Sequence, residues 1–106
     1  MGALRDLAYR SAMASRWRRR RMCVLIADAP APAALRTVSA TGAFLETNAR
    51  PPVGSRVALH HPEAGTIDAE VASLCDDGVA IDFAYDERSV AFALAAIAAD
   101  MSRPVA

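Results

Sequence analysis

The chain has 106 residues, 54% of them hydrophobic and 23% charged, with 12 basic and 12 acidic side chains and a formal net charge of zero. That is the length of one domain around one core, and 5 Gly, 2 Cys and the high apolar fraction exclude collagen-like, disulfide-framed and wholly disordered classes. No apolar run approaches the ~18–20 residues that cross a bilayer, and the start of the chain lacks the uninterrupted apolar stretch of a secretory signal, so a cytoplasmic domain without a transmembrane segment is expected.

Net zero hides an asymmetry. Alanine occurs 25 times and lysine never, so every basic side chain is an arginine. Residues 1–21 hold seven Arg and one Asp, a charge of about +6, whereas residues 22–106 hold five Arg and eleven acids, about −6. A basic arm on an acidic body is the result, and a function that needs positive charge should use the arm.

In chain order, residues 1–15 place Leu4, Leu7, Ala8 and Met13 at loosely helical spacing. With two large aliphatics in that stripe, a helix there needs a docking surface to be stable. Arg16-Trp17-Arg18-Arg19-Arg20-Arg21 follows, five like charges within six residues, which repel one another until an anion meets them. Residues 1–21 are therefore read as an N-terminal arm.

From Met22 the pattern is that of strands. Residues 22–28 form a short apolar run closed by the turn-rich Ala29-Pro30-Ala31-Pro32. Extended pieces at 35–39 and 42–47 are separated by Ala40-Thr41, and Pro51-Pro52-Val53-Gly54 breaks the chain again. Residues 55–61 put Val57 and Leu59 inward; residues 66–74 put Ile67, Ala69 and Val71 on one face and Asp68 and Glu70 on the other. Asp76-Asp77-Gly78 predicts a hairpin, because Asp-Gly tolerates the positive φ of a type I′ turn. Residues 79–84 then face Val79, Ile81 and Phe83 inward and Asp82 outward.

Beyond Asp86, Val90, Leu94, Ile97 and Met101 recur at i, i+4, i+7 and i+11, one apolar stripe of a helix over 89–102 that is expected to pack on the barrel. Ser89 or Asp86 caps its start and Pro104 stops its continuation. Six short strands expose few edges only when the sheet closes. The expected fold is mainly β: a six-stranded antiparallel barrel with a C-terminal helix over 22–102 and a flexible basic N-terminal arm.

Catalytic chemistry finds little support, and an enzyme is not expected. His60 and His61 are adjacent on a strand, point to opposite faces, and cannot chelate one ion; they read as rim histidines beside Pro62. Cys23 and Cys75 lack CxxC spacing and read as small core or edge residues. Asp76-Asp77 reads as a turn, and no nucleophile elbow, P-loop or dinucleotide fingerprint is present. No cofactor and no metal are expected. The arginine run is the strongest polar feature. Its guanidinium forks suit bidentate capture of phosphate and stacking on bases, and Trp17 adds a stacking surface or plugs a seam at the domain entry. Read without function, the same run is a solvated charge block.

Further motifs give the run a context. Arg16-x-x-x-Arg20 precedes the first strand, and Thr37-Val38-Ser39-Ala40-Thr41-Gly42 with Ala43-Phe44-Leu45 resembles the [D/N]-x-S-x-x-G segment of PilZ domains and its following strand. Pro52-Val53-Gly54-Ser55-Arg56-Val57 is similar to that family's p-x-G-x-x-V turn and strand, and 77–83 to its closing strand before a helix. The resemblance spans about residues 16–101. It implies a receptor for the bacterial second messenger cyclic di-GMP, with Arg16 and Arg20 as the clasp, Ser39 bonding the ligand, and Gly42 allowing close backbone approach. Gly42 is equally a turn or bulge glycine.

Thr37 departs from the pattern: it stands where the family carries Asp or Asn. Loss of that acceptor at a guanine edge is worth ~1–3 kcal/mol, about 5- to 150-fold in affinity. Arg18, Arg19, Arg21 and Arg36 are the auxiliary candidates. The expected function is thus a single-domain adaptor whose arm orders on cyclic di-GMP and signals to an effector protein. The alternative is a degenerate PilZ-like module that binds proteins and no nucleotide. Specific nucleic-acid binding is not expected, since the acidic body repels a polyanion.

Overall fold

The structure is a computed structural model and describes residues 21–101. Six strands and one helix follow one another: β1 (Arg21–Ile26), β2 (Pro30–Ser39), β3 (Gly42–Glu46), β4 (Arg56–His61), β5 (Gly65–Cys75), β6 (Gly78–Asp82) and α1 (Glu87–Met101). They close into an antiparallel barrel in the order β1-β2-β3-β6-β5-β4, and β4 returns to β1 through the pair Leu25–Leu59. The mainly β barrel with a C-terminal helix is therefore the fold.

Alternation builds the wall. Leu25, Leu45, Leu59, Val71, Val79 and Ile81 point inward and are at most 1% exposed, while Asp68, Glu70 and Asp82 point outward. This is the period of two that a pleated strand imposes, with one face dry and one wet. Ala33, Ala43 and Ala69 alternate with the larger side chains and let so small a barrel close without overpacking.

Two register shifts modify that alternation. Between Leu35 and Thr37 the pairing with β3 slips by one, so Arg36 is a bulge residue; a second slip lies between Val71 and Ser73. An extra residue resets which face follows. Leu35 and Val38 both lean on the core, and Arg36 and Thr37 lie side by side on the outside.

Several boundaries and orientations differ from expectation. Arg21, assigned to the arm, is the first residue of β1 and pairs with Leu35. The Ala29–Pro32 stretch is mostly strand, since β2 begins at Pro30 and pairs Pro30 and Pro32 with Ile26 and Val24. Its prolines are tolerated because the ladder with β3 starts only at Ala34, so on that side no partner strand asks for their missing N–H. The hairpin at Asp76-Asp77 is present, with Cys75 paired to Gly78, yet neither Asp76, Asp77 nor Gly78 has positive φ, so the turn is not type I′. Gly78 is required for another reason: a Cβ there would collide with the Leu45 carbonyl and the Phe44 ring across the β3–β6 pair. His61 is not a rim residue but 1% exposed, whereas His60 is exposed on the opposite face.

The helix shows the largest correction. Its buried residues are Ser89, Phe92, Ala93 and Ala96, and the expected packing stripe faces outward: Leu94 is 63% exposed and Met101 77%. Phe92 decides the orientation, because it inserts edge-on between Phe83 (ring centroids 5.6 Å) and His61 (6.0 Å). Alanines beside it allow the helix to approach closely. Asp86 caps α1: its Oδ1 accepts the Ser89 N–H (3.0 Å) and Ser89 Oγ accepts the Asp86 N–H (2.9 Å), a reciprocal capping box.

Candidate ligand site between β2 and α1

The bulge and the seating of α1 together create a cleft. Its volume is about 420 Å³, and it runs between Leu35–Val38 of β2 and Ala96, Ile97 and Asp100 of α1, with Arg21 at one end. Leu35, Val38, Ala96 and Ile97 supply an apolar floor; Arg21, Arg36, Thr37 and Asp100 supply the polar margin. An apolar floor with a few polar groups at its margin, within the ~300–1,000 Å³ of small-ligand sites, is the general form of a small-molecule cleft.

Arg21 is half-buried at this cleft. One Nη2 donates to the Ala99 carbonyl of α1 (3.4 Å) and lies 3.5 Å from Glu63, while its Nε is buried without a hydrogen-bond partner. A buried donor left unpaired is costly. Arg36 is committed elsewhere: its guanidinium bonds Glu46 (2.8 Å) and Asp77 and lies 4.3 Å over the Phe44 ring. The pairing holds the Asp77 carboxyl below its ordinary range and raises the Arg36 guanidinium. The cation is spent within the protein.

Thr37 joins two surfaces. It lines the cleft and also a shallow depression of about 310 Å³ that continues to Ser39, Gly42 and Asp82 at the β2–β3 hairpin. Thr37, Ser39 and Gly42 are thus brought onto one outer surface, with Arg21 cross-strand from Leu35, two residues before Thr37. Arg16, Arg18, Arg19 and Arg20 lie outside the described residues.

Two of these residues also have local work. Ser39 Oγ accepts the Thr41 N–H at 3.2 Å and lies 3.0 Å from Thr41 Oγ1, a turn-stabilising arrangement. A Cβ on Gly42 would strike the Ile81 carbonyl, so the close approach it permits is that of β6. The Phe83 N–H donates to the Thr41 carbonyl (2.9 Å), which ties this hairpin to the segment leading into α1.

Sequence reasoning missed Leu35, Val38, Ala96, Ile97 and Asp100. Leu35 and Val38 flank the bulge at Arg36, which shows only in the register with β3, and Ala96 and Asp100 follow from a seating of α1 that Phe92 decides. His61 was also missed as a structural group. Its Nδ1 accepts the N–H groups of Glu63 and Ala64 (both 3.0 Å), and Gly65 with φ 92° completes the turn. Burial lowers the imidazole's pKa, and its Nε2 has no partner. Cys23 is buried, its thiol pushed up to about 11 by desolvation, while Cys75 is exposed.

Among the described residues no three His, Cys, Asp or Glu side chains gather to hold a metal ion, and no helix is long and apolar enough to cross a membrane. No family model, no curated protein and no solved structure matches the chain.

Proposed function

We propose that the chain is a PilZ-like receptor for cyclic di-GMP that passes the signal to a protein partner. The observation that carries the reading is the cleft at the root of the arginine run, which Arg21 and Thr37 line together with the apolar residues Leu35, Val38 and Ala96. Cyclic di-GMP has two phosphate charges and two purine faces, which match guanidinium donors above an apolar surface. In this reading Arg16 and Arg20 clasp the ligand from the arm, and Thr37 and the Ser39–Gly42 hairpin form the opposite side. Ordering of the arm on binding lowers affinity but makes the event a switch.

A second reading has its own support. Arg36 is neutralised by Glu46 and Asp77, and Thr37 offers a single oxygen where the family's pattern has an amide or carboxylate. A barrel of this shape that binds a protein and no nucleotide accounts for both.

Calorimetric titration with cyclic di-GMP, with cyclic di-AMP and GTP as controls, separates the two. The receptor reading expects saturable, selective binding that Arg16→Ala or Arg20→Ala abolishes without unfolding the barrel, and Thr37→Asn is expected to tighten it by about 5- to 150-fold. No heat at high micromolar ligand leaves the interaction-module reading in possession.

A further inference from the structure

We propose that His61 is a proton-operated latch for α1: the neutral ring holds the helix on the barrel, and protonation releases α1, and with it one side of the cleft, while the six strands stay paired. The latch is independent of which molecule the cleft takes.

The setting of the ring dictates its protonation state. His61 ends β4 and is 1% exposed. Its Nδ1 accepts the N–H groups of Glu63 and Ala64, both at 3.0 Å, so that nitrogen carries no proton and the hydrogen of the neutral ring sits on Nε2. Nε2 is buried with no partner among the described residues. An imidazolium donates from both nitrogens. Its Nδ1–H would face two other N–H groups and its Nε2–H would meet no acceptor among the described residues, so the charged ring must leave the pocket.

The charges around the ring do not reverse this. Among the described residues, Glu63 on the same turn and Asp100 on α1 favour the cation, Arg21 on β1 and the neighbouring His60 oppose it, and burial outweighs them. Arg21 and Glu63, 3.5 Å apart, act against each other.

What the ring holds is α1. Phe92, 4% exposed, meets His61 edge-on with ring centroids 6.0 Å apart and Phe83 with centroids 5.6 Å apart. When the charged ring turns out to water, Phe92 loses one of these aromatic neighbours, and the void left behind weakens the seat of the helix. The barrel does not share the loss. Every strand is paired on both sides, α1 supplies none of the pairing, and the backbone pair of His61 with Gly65 does not involve the ring. Ala96, buried in the seated helix, lines the cleft, so release of α1 opens the cleft on that side.

Sign and size follow from proton linkage. The released ring titrates near the ordinary 6.5 and the seated one below it, so the released form takes up the proton first. The seat is at full strength above pH 6.5, and the release equilibrium rises about 10-fold between pH 7.5 and 5.5.

The test is native-state hydrogen exchange on the full chain at pH 7.5 and 5.5 in low urea, with rates corrected for the intrinsic pH dependence of exchange. The amides of Phe92, Ala93 and Ala96 are expected to open at least ~10-fold more readily than the ladder amides of β3 and β6, with a weaker urea dependence, and to lose about 10-fold in protection at pH 5.5. His61→Asn should remove most of that pH dependence. Phe92→Ala, which weakens the seat without altering the ring, should move the His61 titration, followed by the NMR shift of its ring protons, up towards 6.5, so the test survives if the Asn variant does not fold. Equal opening of α1 and the strands with a single urea dependence overturns the proposal, as does α1 protection that ignores pH. A pH effect that persists in His61→Asn, or a His61 titration that Phe92→Ala leaves unmoved, overturns it too.

Discussion

The barrel wall and α1 distribute their side chains by opposite rules. In the wall the large aliphatics Leu25, Leu45, Leu59 and Ile81 are inside and charged residues such as Asp68, Glu70 and Asp82 outside. On α1 the inner face is Ser89, Ala93 and Ala96 around a single large residue, Phe92, while Leu94 and Met101 face out. A sheet closed on itself must fill its interior from every strand. A helix laid on that sheet needs only one plug and enough small residues to come close. The contrast shows that size alone does not tell which side of an element is buried; the partner's shape does.

The comparison is broken most directly at the plug. Phe92→Ala empties the contact with Phe83 and His61 and is expected to cost about 3–5 kcal/mol in urea unfolding, whereas Leu94→Ala, despite the larger aliphatic stripe it belongs to, should change global stability by no more than roughly 0.5 kcal/mol. Equal effects would mean that α1 is seated by both faces. The cap comes next. Asp86→Ala removes the side-chain half of the capping box and should cost about 1 kcal/mol, with Asp86→Asn recovering most of it in the same assay.

The smallest expected effect is one of pH. His61 is buried as a neutral ring whose Nδ1 is already occupied by two N–H donors, so its folded pKa lies below the ordinary 6.5. Below pH 6.5 the unfolded chain takes up the proton first and the folded one resists it. Stability from this group is therefore fully present above pH 6.5 and declines as the pH falls below it. His61→Asn places an amide oxygen where Nδ1 stood, so its unfolding curves at pH 7.5 and 5.5 should differ less than those of the unmodified protein.

Much of the wall was legible from alternation. Ile67, Ala69 and Val71 were read inward and are buried, and the break at Ala40-Thr41 and the hairpin at Asp76-Asp77 lie where the strand pattern stops. What alternation could not disclose was the bulge at Arg36, because a single extra residue is visible only against the register of its neighbour β3. Glycine was likewise read through φ, yet Gly78 answers to the crowding of another strand. His61 looked like a rim residue because its burial depends on Phe92, thirty-one positions later. The candidate cleft follows the same logic. Thr37 was found from a motif, but its neighbour Ala96 belongs to a face of α1 that only the tertiary contact with Phe83 selects.

The bond from Arg21 to the Ala99 carbonyl links positions 78 residues apart. The path of the backbone is thus nearly a circle: β1 begins where α1 finishes, at one rim of the barrel. Joining those two points by a short connector and cutting instead at the Asp76-Asp77 turn would preserve every strand pairing, so this topology admits circular permutation.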